Sequence, residues 1–209
     1  PPATPWLDGE VAGLAAEAGG DAVLKLVLTR GTGGRGYAPP AGVEPTLALS
    51  LHPAPAPIDE PLVLRWCALR MAIQPALAGL KHLNRLEQVL ARAEWRDAGI
   101  HEGLLLDARG RVACATAANV FALVDGRWLT PRMDECGVAG VARAWVLANA
   151  PGAAEADLSP ADIESAGAVF LCNAVRGILP VGRLGERRWP PHAGLEALRE
   201  AMGRELAAG

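Results

Sequence analysis

The sequence of 209 residues predicts an α+β fold with mostly antiparallel sheets. Three observations support this class. Hydrophobic residues make up 51% of the chain, which is enough to bury a substantial core. Segments of helix and strand length follow one another without the regular β-α-β alternation that a parallel sheet needs. Finally, Asp125-Gly126 is a typical two-residue hairpin turn between short apolar segments.

The first half of the chain predicts one helix, two strands and a glycine-rich loop. An alanine-rich helix at 11–18 should end at Gly19-Gly20, and apolar strands are expected at 23–28 and 46–51. The loop between them is rich in glycine over residues 29–37 but lacks the Gly-Lys-Ser/Thr that opens the helix of a P-loop. We therefore interpret it as a hairpin loop rather than a nucleotide site.

A proline-spaced segment, Pro53-Ala-Pro-Ala-Pro57, is the best candidate for a linker. Proline lacks the backbone N–H that regular secondary structure uses, so such a segment favours an extended connection. We expect residues 1–52 to be the remainder of a small N-terminal domain. Residues 53–58 should be the linker, and residues 59–209 a large C-terminal domain.

The second half predicts further strands and four helices. Leu83, Leu86, Leu90 and Ala93 recur at helical spacing, which indicates an amphipathic helix at 83–98. Ser159 followed by Pro160 is typical of a helix start. The other helices are expected at 137–149 and from Leu195 onward. Strands are expected at 62–69, 103–107, 111–115, 120–124, 128–129, 169–173 and 178–181.

Composition favours a small-molecule partner. A net charge of −3 and a pI of about 5.8 give no general attraction to nucleic acid or to an anionic membrane surface. No apolar run reaches the roughly 20 residues that span a bilayer. The four cysteines are far apart and lack neighbouring histidines at metal-ligand spacing, so we expect neither a metal site nor disulfides, but reduced thiols in the cytoplasm.

Lys81 is a candidate catalytic residue because the chain uses lysine so rarely. It is one of only two lysines among 20 basic residues, the other being Lys25. Lysine, unlike arginine, can lose its proton and form an imine with an aldehyde. GC-rich coding would produce the same bias towards arginine, so rarity alone still favours an ordinary surface lysine before a helix.

The segment around Lys81 resembles a known family. The run Gly79-Leu-Lys-His-Leu-Asn-Arg-Leu-Glu-Gln-Val-Leu90 is similar to the cofactor-lysine segment of aminodeoxychorismate lyases. These belong to the fold-type IV pyridoxal-phosphate enzymes, together with branched-chain and D-amino-acid aminotransferases. The resemblance continues, in the family's order, through residues 29–37, 117–121, 130–132, 137–143 and 172–174.

This resemblance implies a two-domain, D-amino-acid aminotransferase-like architecture with pyridoxal 5'-phosphate as the cofactor. Lys81 would hold the cofactor covalently and also carry protons. Val141 and Ala142, at the start of a helix, and Asn173 would hold the cofactor phosphate. Arg35 and Tyr37 match a loop that borders the substrate pocket, so they are candidates for binding a substrate carboxylate, although an exposed loop is as good an interpretation.

The implied reaction converts 4-amino-4-deoxychorismate into 4-aminobenzoate and pyruvate, in a homodimer. A fold-type IV aminotransferase and a cofactor-free remnant of the family are the alternatives. Two departures from the family bear on this choice. Cys114 occupies the position of the glutamate that contacts the pyridine nitrogen, and a neutral thiol stabilises a pyridinium poorly. The family also has a further N-terminal segment, so the small domain is expected to be incomplete.

Overall fold

A computed structural model describes residues 5–208 of the chain. Contacts divide the chain into two units, Pro1–Pro57 and Ile58–Gly209. The first unit contains α1 (Pro5–Ala18), β1 (Ala22–Thr29) and β2 (Thr46–Pro53). These elements confirm the predicted helix and both strands.

In the first unit, β1 and β2 pair antiparallel from Ala22 opposite Pro53 to Thr29 opposite Thr46. Strand β2 therefore extends into the first residue of the predicted linker. Helix α1 ends before Gly19, whose φ of +64° is one that glycine adopts without strain. None of the side chains described within residues 6–57 is buried. The described part of this unit consequently has no closed core of its own.

The elements of the second unit are β3 (Leu62–Met71), α2 (Leu86–Arg92), β4 (Glu102–Asp107), β5 (Val112–Ala115), β6 (Asn119–Val124), β7 (Arg127–Pro131), α3 (Val141–Asn149), β8 (Ala154–Ala156), α4 (Pro160–Ser165), β9 (Val169–Asn173), β10 (Gly177–Leu184), β11 (Arg187–Arg188) and α5 (Ala193–Ala208). The strands form a nine-stranded sheet with the order β5-β4-β3-β10-β9-β6-β7-β8, and β11 pairs with β10. Pairings of β3 with β4 and β10, and of β7 with β8, are parallel, and the others are antiparallel. The mostly antiparallel α+β class is confirmed.

The core fixes β6 against β9 and thereby positions the site. Phe121 of β6 and Phe170 of β9 are fully buried, and their rings stack with centroids 4.9 Å apart. Residues of α3 and α5 pack into the same cluster. Since the two strands run antiparallel with Asn119 opposite Cys172, the first residue of β6 and the last residues of β9 lie at the same edge of the sheet.

Two local predictions are confirmed. Asp125 (φ 49°) and Gly126 (φ 75°) form the tight turn between β6 and β7, the conformation that a two-residue hairpin requires. Ser159 caps α4: its hydroxyl accepts from the backbone N–H of Asp162 at 3.2 Å, and the Asp162 carboxylate accepts from the Ser159 N–H at 2.7 Å. Both features depend only on neighbouring residues.

The helix predicted at 83–98 is wrong at both ends, because α2 covers only Leu86–Arg92. Before it, residues 80–85 form no helix, and the Arg85 guanidinium binds the backbone carbonyls of residues 80 and 82. After it, Glu94 turns away to accept from the N–H groups of Ala68 and Leu69 at 2.8 and 2.9 Å. Leu86 and Leu90, on the apolar side of this amphipathic helix, are 62% and 51% exposed.

The third helix also differs from its prediction. It begins at Val141 rather than at Gly137, because residues 137–139 pair with the backbone of Gly79 instead. The C-terminal helix was predicted from Leu195 and begins at Ala193. Within residues 5–208, no helix combines the length and the apolar character that a membrane crossing requires.

Candidate active site

A cavity of about 510 Å³ lies in the second unit, at the edge of the sheet where β6 begins and β9 ends. Several segments that are distant in sequence line it. They are residues 79–81, Arg85, Gln88, 114–119, 137–141 and 172–174. The cavity therefore combines a lysine, a helix start and several polar side chains, which is typical of a small-molecule site.

Lys81 lies in an irregular segment between β3 and α2, and its side chain is exposed. On its N-terminal side, the N–H of Gly79 donates to the Gly137 carbonyl at 3.1 Å, and the N–H of Ala139 donates to the Gly79 carbonyl at 3.0 Å. Gly79 has a φ of +77°, which favours glycine at this position. These contacts hold the lysine segment beside the loop that leads into α3.

The N-terminus of α3 opens towards the same cavity. The first helical bond runs from the N–H of Ala144 to the carbonyl of Gly140 at 2.9 Å, so the N–H groups of residues 141–143 precede the helical ladder. No side chain among the described residues caps this end of the helix. Free N–H groups and the positive end of a helix dipole favour an anion, so this helix start can receive a phosphate.

Two asparagines stabilise the loops around this helix start. Asn119, which is 6% exposed, donates from Nδ2 to the Val138 carbonyl at 2.8 Å. A Cβ at Gly140 would clash with Oδ1 of Asn119, so only glycine fits this close approach. Asn173 accepts at Oδ1 from the N–H groups of Val175 and Arg176, at 3.0 and 2.8 Å, and donates to the Ala117 carbonyl at 3.3 Å.

Cys114 closes another part of the cavity with an uncharged group. The residue is 6% exposed, and its thiol donates to Sδ of Met71 at 3.5 Å. Burial, together with the nearby Cys136 and Glu102, raises the pKa of Cys114 to about 12, so the thiol is neutral at physiological pH. Glu102 is already engaged, since it accepts from the Thr116 hydroxyl and from the N–H of Gly103.

The structure brings four of the residues singled out from the sequence to this cavity: Lys81, Cys114, Val141 and Asn173. Ala142 is buried and lines a neighbouring cavity of about 400 Å³ with Val141 and Asn173. The remaining two candidates, Arg35 and Tyr37, belong to the first unit, where Tyr37 is fully exposed.

The sequence patterns do not distinguish Arg85, Gln88 or Asn119 as site residues, although all three lie within the motifs that resemble the family. Gln88 lines the cavity with an Oε1 atom that is buried and has no hydrogen-bond partner among the described residues. An unpaired buried acceptor costs free energy, so a donor from a ligand would stabilise it. The only available signal was the presence of these polar residues within the motifs.

Several known proteins resemble this chain in sequence, in fold or in both. The chain is 38% identical over 167 residues to the aminodeoxychorismate lyase of Vibrio harveyi, and the alignment covers 76% of this chain and 61% of that protein. The crystal structure of 4-amino-4-deoxychorismate lyase from Pseudomonas aeruginosa superposes with a TM-score of 0.90 at 46% identity, covering 96% of this chain and 77% of that one. The branched-chain aminotransferase of the archaeon Thermoproteus uzoniensis, solved with norvaline, has the same fold, with a TM-score of 0.85 at 17% identity and coverage of 99% and 73%.

The chain thus spans about three fifths (61%) of the length of the Vibrio protein that it matches. Residues 9–184 match the family model described as amino-transferase class IV, which includes the whole of the lysine segment, the start of α3 and the end of β9. The chain belongs to the amino-transferase class IV family, and it has the fold-type IV architecture.

Proposed function

We propose that the protein is a pyridoxal-phosphate-dependent lyase that converts 4-amino-4-deoxychorismate into 4-aminobenzoate and pyruvate, a step towards folate. The observation that carries this proposal is that Lys81 and the open N-terminus of α3 line one cavity. The two relatives named for this activity, at 38% and 46% identity, support it.

The residues of the cavity fit the cofactor of the family at two of its groups. Lys81 would bind its aldehyde carbon, and the N–H groups of Val141 and Ala142, with Asn173, would hold its phosphate. The cofactor supplies an aldehyde that bonds covalently to amines and a ring that withdraws electrons from the bonded carbon. Gly140 leaves room for the side chain of Asn119, which binds the loop that precedes this helix start.

In the proposed reaction, Lys81 moves the proton. Its amine takes the proton from the amine-bearing carbon of the substrate. The bond between the neighbouring ring carbon and the enolpyruvyl oxygen then breaks, and the ring becomes aromatic. The released oxygen accepts a proton, which gives pyruvate after tautomerisation. Atoms balance without an oxidant or a second substrate, and aromatisation supplies much of the driving force.

Cys114 is the departure that favours a lyase over an aminotransferase. A neutral thiol cannot stabilise a protonated ring nitrogen as a carboxylate would, and transamination depends on that stabilisation more than an elimination that forms an aromatic ring. We propose that Cys114 faces the ring nitrogen. Replacing Cys114 with Glu should shift the absorbance of the bound cofactor. No change in the spectrum or in the lyase rate would show that Cys114 lies elsewhere.

A mass-spectrometric experiment tests the central proposal. Incubation with pyridoxal 5'-phosphate followed by borohydride should add one cofactor to Lys81, and 4-aminobenzoate should form from the substrate. Lys81→Ala should remove the adduct and lower the rate by roughly a thousandfold. Lys25→Ala is the matched control and should change neither. Conversion of an amino acid and a keto acid would instead identify an aminotransferase, and the absence of an adduct would favour a remnant that binds no cofactor.

Arg35 and Tyr37 are proposed to bind a carboxylate of the substrate. Arginine matches a carboxylate with two parallel hydrogen bonds. Arg35→Gln should therefore raise KM by roughly tenfold, while the adduct at Lys81 remains unchanged. Arg30→Gln, in the same loop, is the control. Equal effects of the two substitutions would contradict a specific role for Arg35.

We also propose a homodimer that uses the exposed apolar side chains around α2. Leu83, Leu86, Val89 and Leu90 are 67%, 62%, 61% and 51% exposed. Within α2, residues 86, 89 and 90 share one face, and such an apolar surface is typical of an interface. Leu86→Arg should convert a dimer into a monomer in light scattering, whereas Leu28→Arg, at a similarly exposed site, should not. A dimer that survives Leu86→Arg would contradict this interface.

The domain division and the cellular compartment are part of the same proposal. The linker at 53–58 is proposed to separate two domains, residues 1–52 and 59–209. The four cysteines are free thiols, which supports the reducing cytoplasmic environment expected from the sequence.

A further inference from the structure

Arg85 makes two hydrogen bonds to the backbone on either side of Lys81. Its Nη2 donates to the carbonyl of Leu80 at 2.8 Å, and its Nε donates to the carbonyl of His82 at 2.9 Å. The two carbonyl acceptors belong to the residues immediately before and after the lysine. A single guanidinium therefore holds the peptide group that precedes Lys81 and the peptide group that follows His82.

The segment around Lys81 depends on this contact because little else orders it on the C-terminal side. Residues 80–85 form neither helix nor strand, and α2 begins only at Leu86. On the N-terminal side, the bonds of Gly79 to the 137–139 loop already fix the backbone. With Arg85 on the other side, the lysine segment is anchored at both ends.

We propose that Arg85 is a positioning residue that directs the amine of Lys81 into the cavity. This role rests on the proposed function, because it assigns Lys81 as the residue that binds the cofactor. Arg85 acts through the backbone of its neighbours. Arg85 also lines the cavity, beside the lysine that it orients.

The geometry explains why arginine is needed. The guanidinium is planar and offers several N–H donors in a fixed arrangement. It can therefore bind two separated carbonyls with little loss of side-chain conformational entropy for each hydrogen bond. A lysine at the same position would keep the charge but present its donors from a single nitrogen. Charge and geometry can therefore be separated by substitution, with Arg85→Lys testing the geometry and Arg85→Gln removing both.

The chain offers an internal reference for the experiment, because it has only two lysines and Lys25 is also exposed. Each protein is treated with limiting pyridoxal 5'-phosphate and borohydride, and the ratio of adduct at Lys81 to adduct at Lys25 is measured by peptide mass spectrometry. A parallel sample is treated with limiting acetic anhydride, a small reagent that needs no binding site. The ratio for each reagent then separates orientation in the site from general exposure of the amine.

We expect the cofactor ratio to fall by roughly tenfold in Arg85→Gln, because two hydrogen bonds from a charged donor are lost. It should also fall, though less, in Arg85→Lys. The acetylation ratio should stay within about twofold of wild type, since the amine remains exposed and reactive. Arg92→Gln is the matched control: Arg92 also donates to a backbone carbonyl, that of Trp95 at 3.1 Å, but does not line the cavity.

The following results would overturn the role of Arg85. They are a wild-type cofactor ratio in Arg85→Gln, full rescue by Arg85→Lys, and an equal fall in Arg92→Gln. A parallel fall of both ratios would also overturn it, since that would show a change in exposure. If the wild-type protein shows no preference for Lys81, the proposed function fails as well. Preference in the wild type that persists without Arg85 rejects the positioning role alone.

Discussion

Asn119 and Val138 are joined by a hydrogen bond of 2.8 Å from the buried side-chain amide to the backbone carbonyl. The bond links the first residue of β6 to the loop that precedes α3. Val138 also forms a β-bridge with Gly79, two residues before Lys81. One buried amide therefore connects the sheet, the helix start and the lysine segment. The proposed site needs these three parts in fixed relative positions.

Replacing Asn119 with Ala should loosen this connection. The Val138 carbonyl would lose its partner, which costs about 1–3 kcal/mol of the free energy of unfolding when the group stays buried. Binding of pyridoxal 5'-phosphate should weaken in parallel. Urea unfolding and a cofactor titration measure the two effects. Asn149 donates to the Trp145 carbonyl at 2.9 Å on the surface, so Asn149→Ala should change stability by less than about 0.5 kcal/mol. Equal losses in the two variants would contradict this account.

Gly140→Ala tests the close approach at the start of α3. The added methyl group would clash with Oδ1 of Asn119, so either the asparagine or the helix start must move. We expect a loss of about 1–3 kcal/mol in stability and weaker cofactor binding. Gly203→Ala in α5 is the control, because no atom lies within 4 Å of its added Cβ. The free energy of unfolding of that variant should rise by about 0.5–1 kcal/mol, since alanine stabilises a helix more than glycine does. A Gly140→Ala variant with wild-type stability and cofactor binding would exclude a tight contact between residue 140 and Asn119.

The sequence was informative at several places where the structure depends on adjacent residues. Asp125-Gly126 predicted the β6–β7 turn because its two positive φ angles are set locally. Ser159 predicted the start of α4 because its hydroxyl reaches only three residues along the chain. The motif around Lys81 predicted the family, and the lysine does line the cavity of about 510 Å³.

Features that depend on distant residues could not be predicted. Periodicity extended α2 to residue 98, yet Glu94 ends it by binding the N–H groups of Ala68 and Leu69 in β3. An apolar stripe such as that of α2 commonly packs against a core, but the side chains of Leu86 and Leu90 are exposed. The interaction of Arg85 with the backbone around Lys81 is local in sequence but requires a non-helical geometry, which a helical pattern does not reveal.

Asp107 should make stability depend on acid pH. It is 3% exposed and accepts from the N–H groups of Arg109 and Arg111, at 2.8 and 2.9 Å, and from Nε of Arg111 at 2.8 Å. Burial alone would raise the pKa of Asp107, but these hydrogen bonds lower it. Its contribution is therefore complete above the unfolded-state pKa of about 3.9 and is lost as the pH falls through the lower folded-state pKa.

The corresponding variant is Asp107→Asn, which should lose about 3 kcal/mol at pH 7. The difference from wild type should shrink as the pH falls below about 4, when the wild-type carboxylate is protonated in the unfolded state. Asp157→Asn is the control, since its 59%-exposed carboxylate pairs with Arg111 at 3.4 Å and should contribute less than about 1 kcal/mol. A difference for Asp107→Asn that is constant between pH 7 and pH 3 would contradict the assignment.

Cys172 should make the free energy of unfolding fall as the pH rises in the alkaline range. Burial raises the pKa of this fully buried thiol to about 12, although the nearby Arg143 lowers it. In the unfolded chain the thiol ionises near pH 8.5. Between these values the unfolded state loses a proton that the folded state keeps, so stability falls as the pH rises, by up to about 1.4 kcal/mol per pH unit for each thiol. Cys67, Cys114 and Cys136 also have raised pKa values, of about 11, 12 and 11.

Urea unfolding between pH 8 and pH 10.5 measures this slope. All four thiols have raised pKa values in the folded chain, so the loss of stability should be steep in the wild type. Cys172→Ala should reduce the slope by the equivalent of one proton, because the variant has no thiol to ionise at this position. Val120→Ala, at another fully buried site of the sheet, should lower stability at every pH but keep the wild-type slope. Equal slopes in wild type and Cys172→Ala would show that the thiol ionises as readily in the folded chain as in the unfolded one.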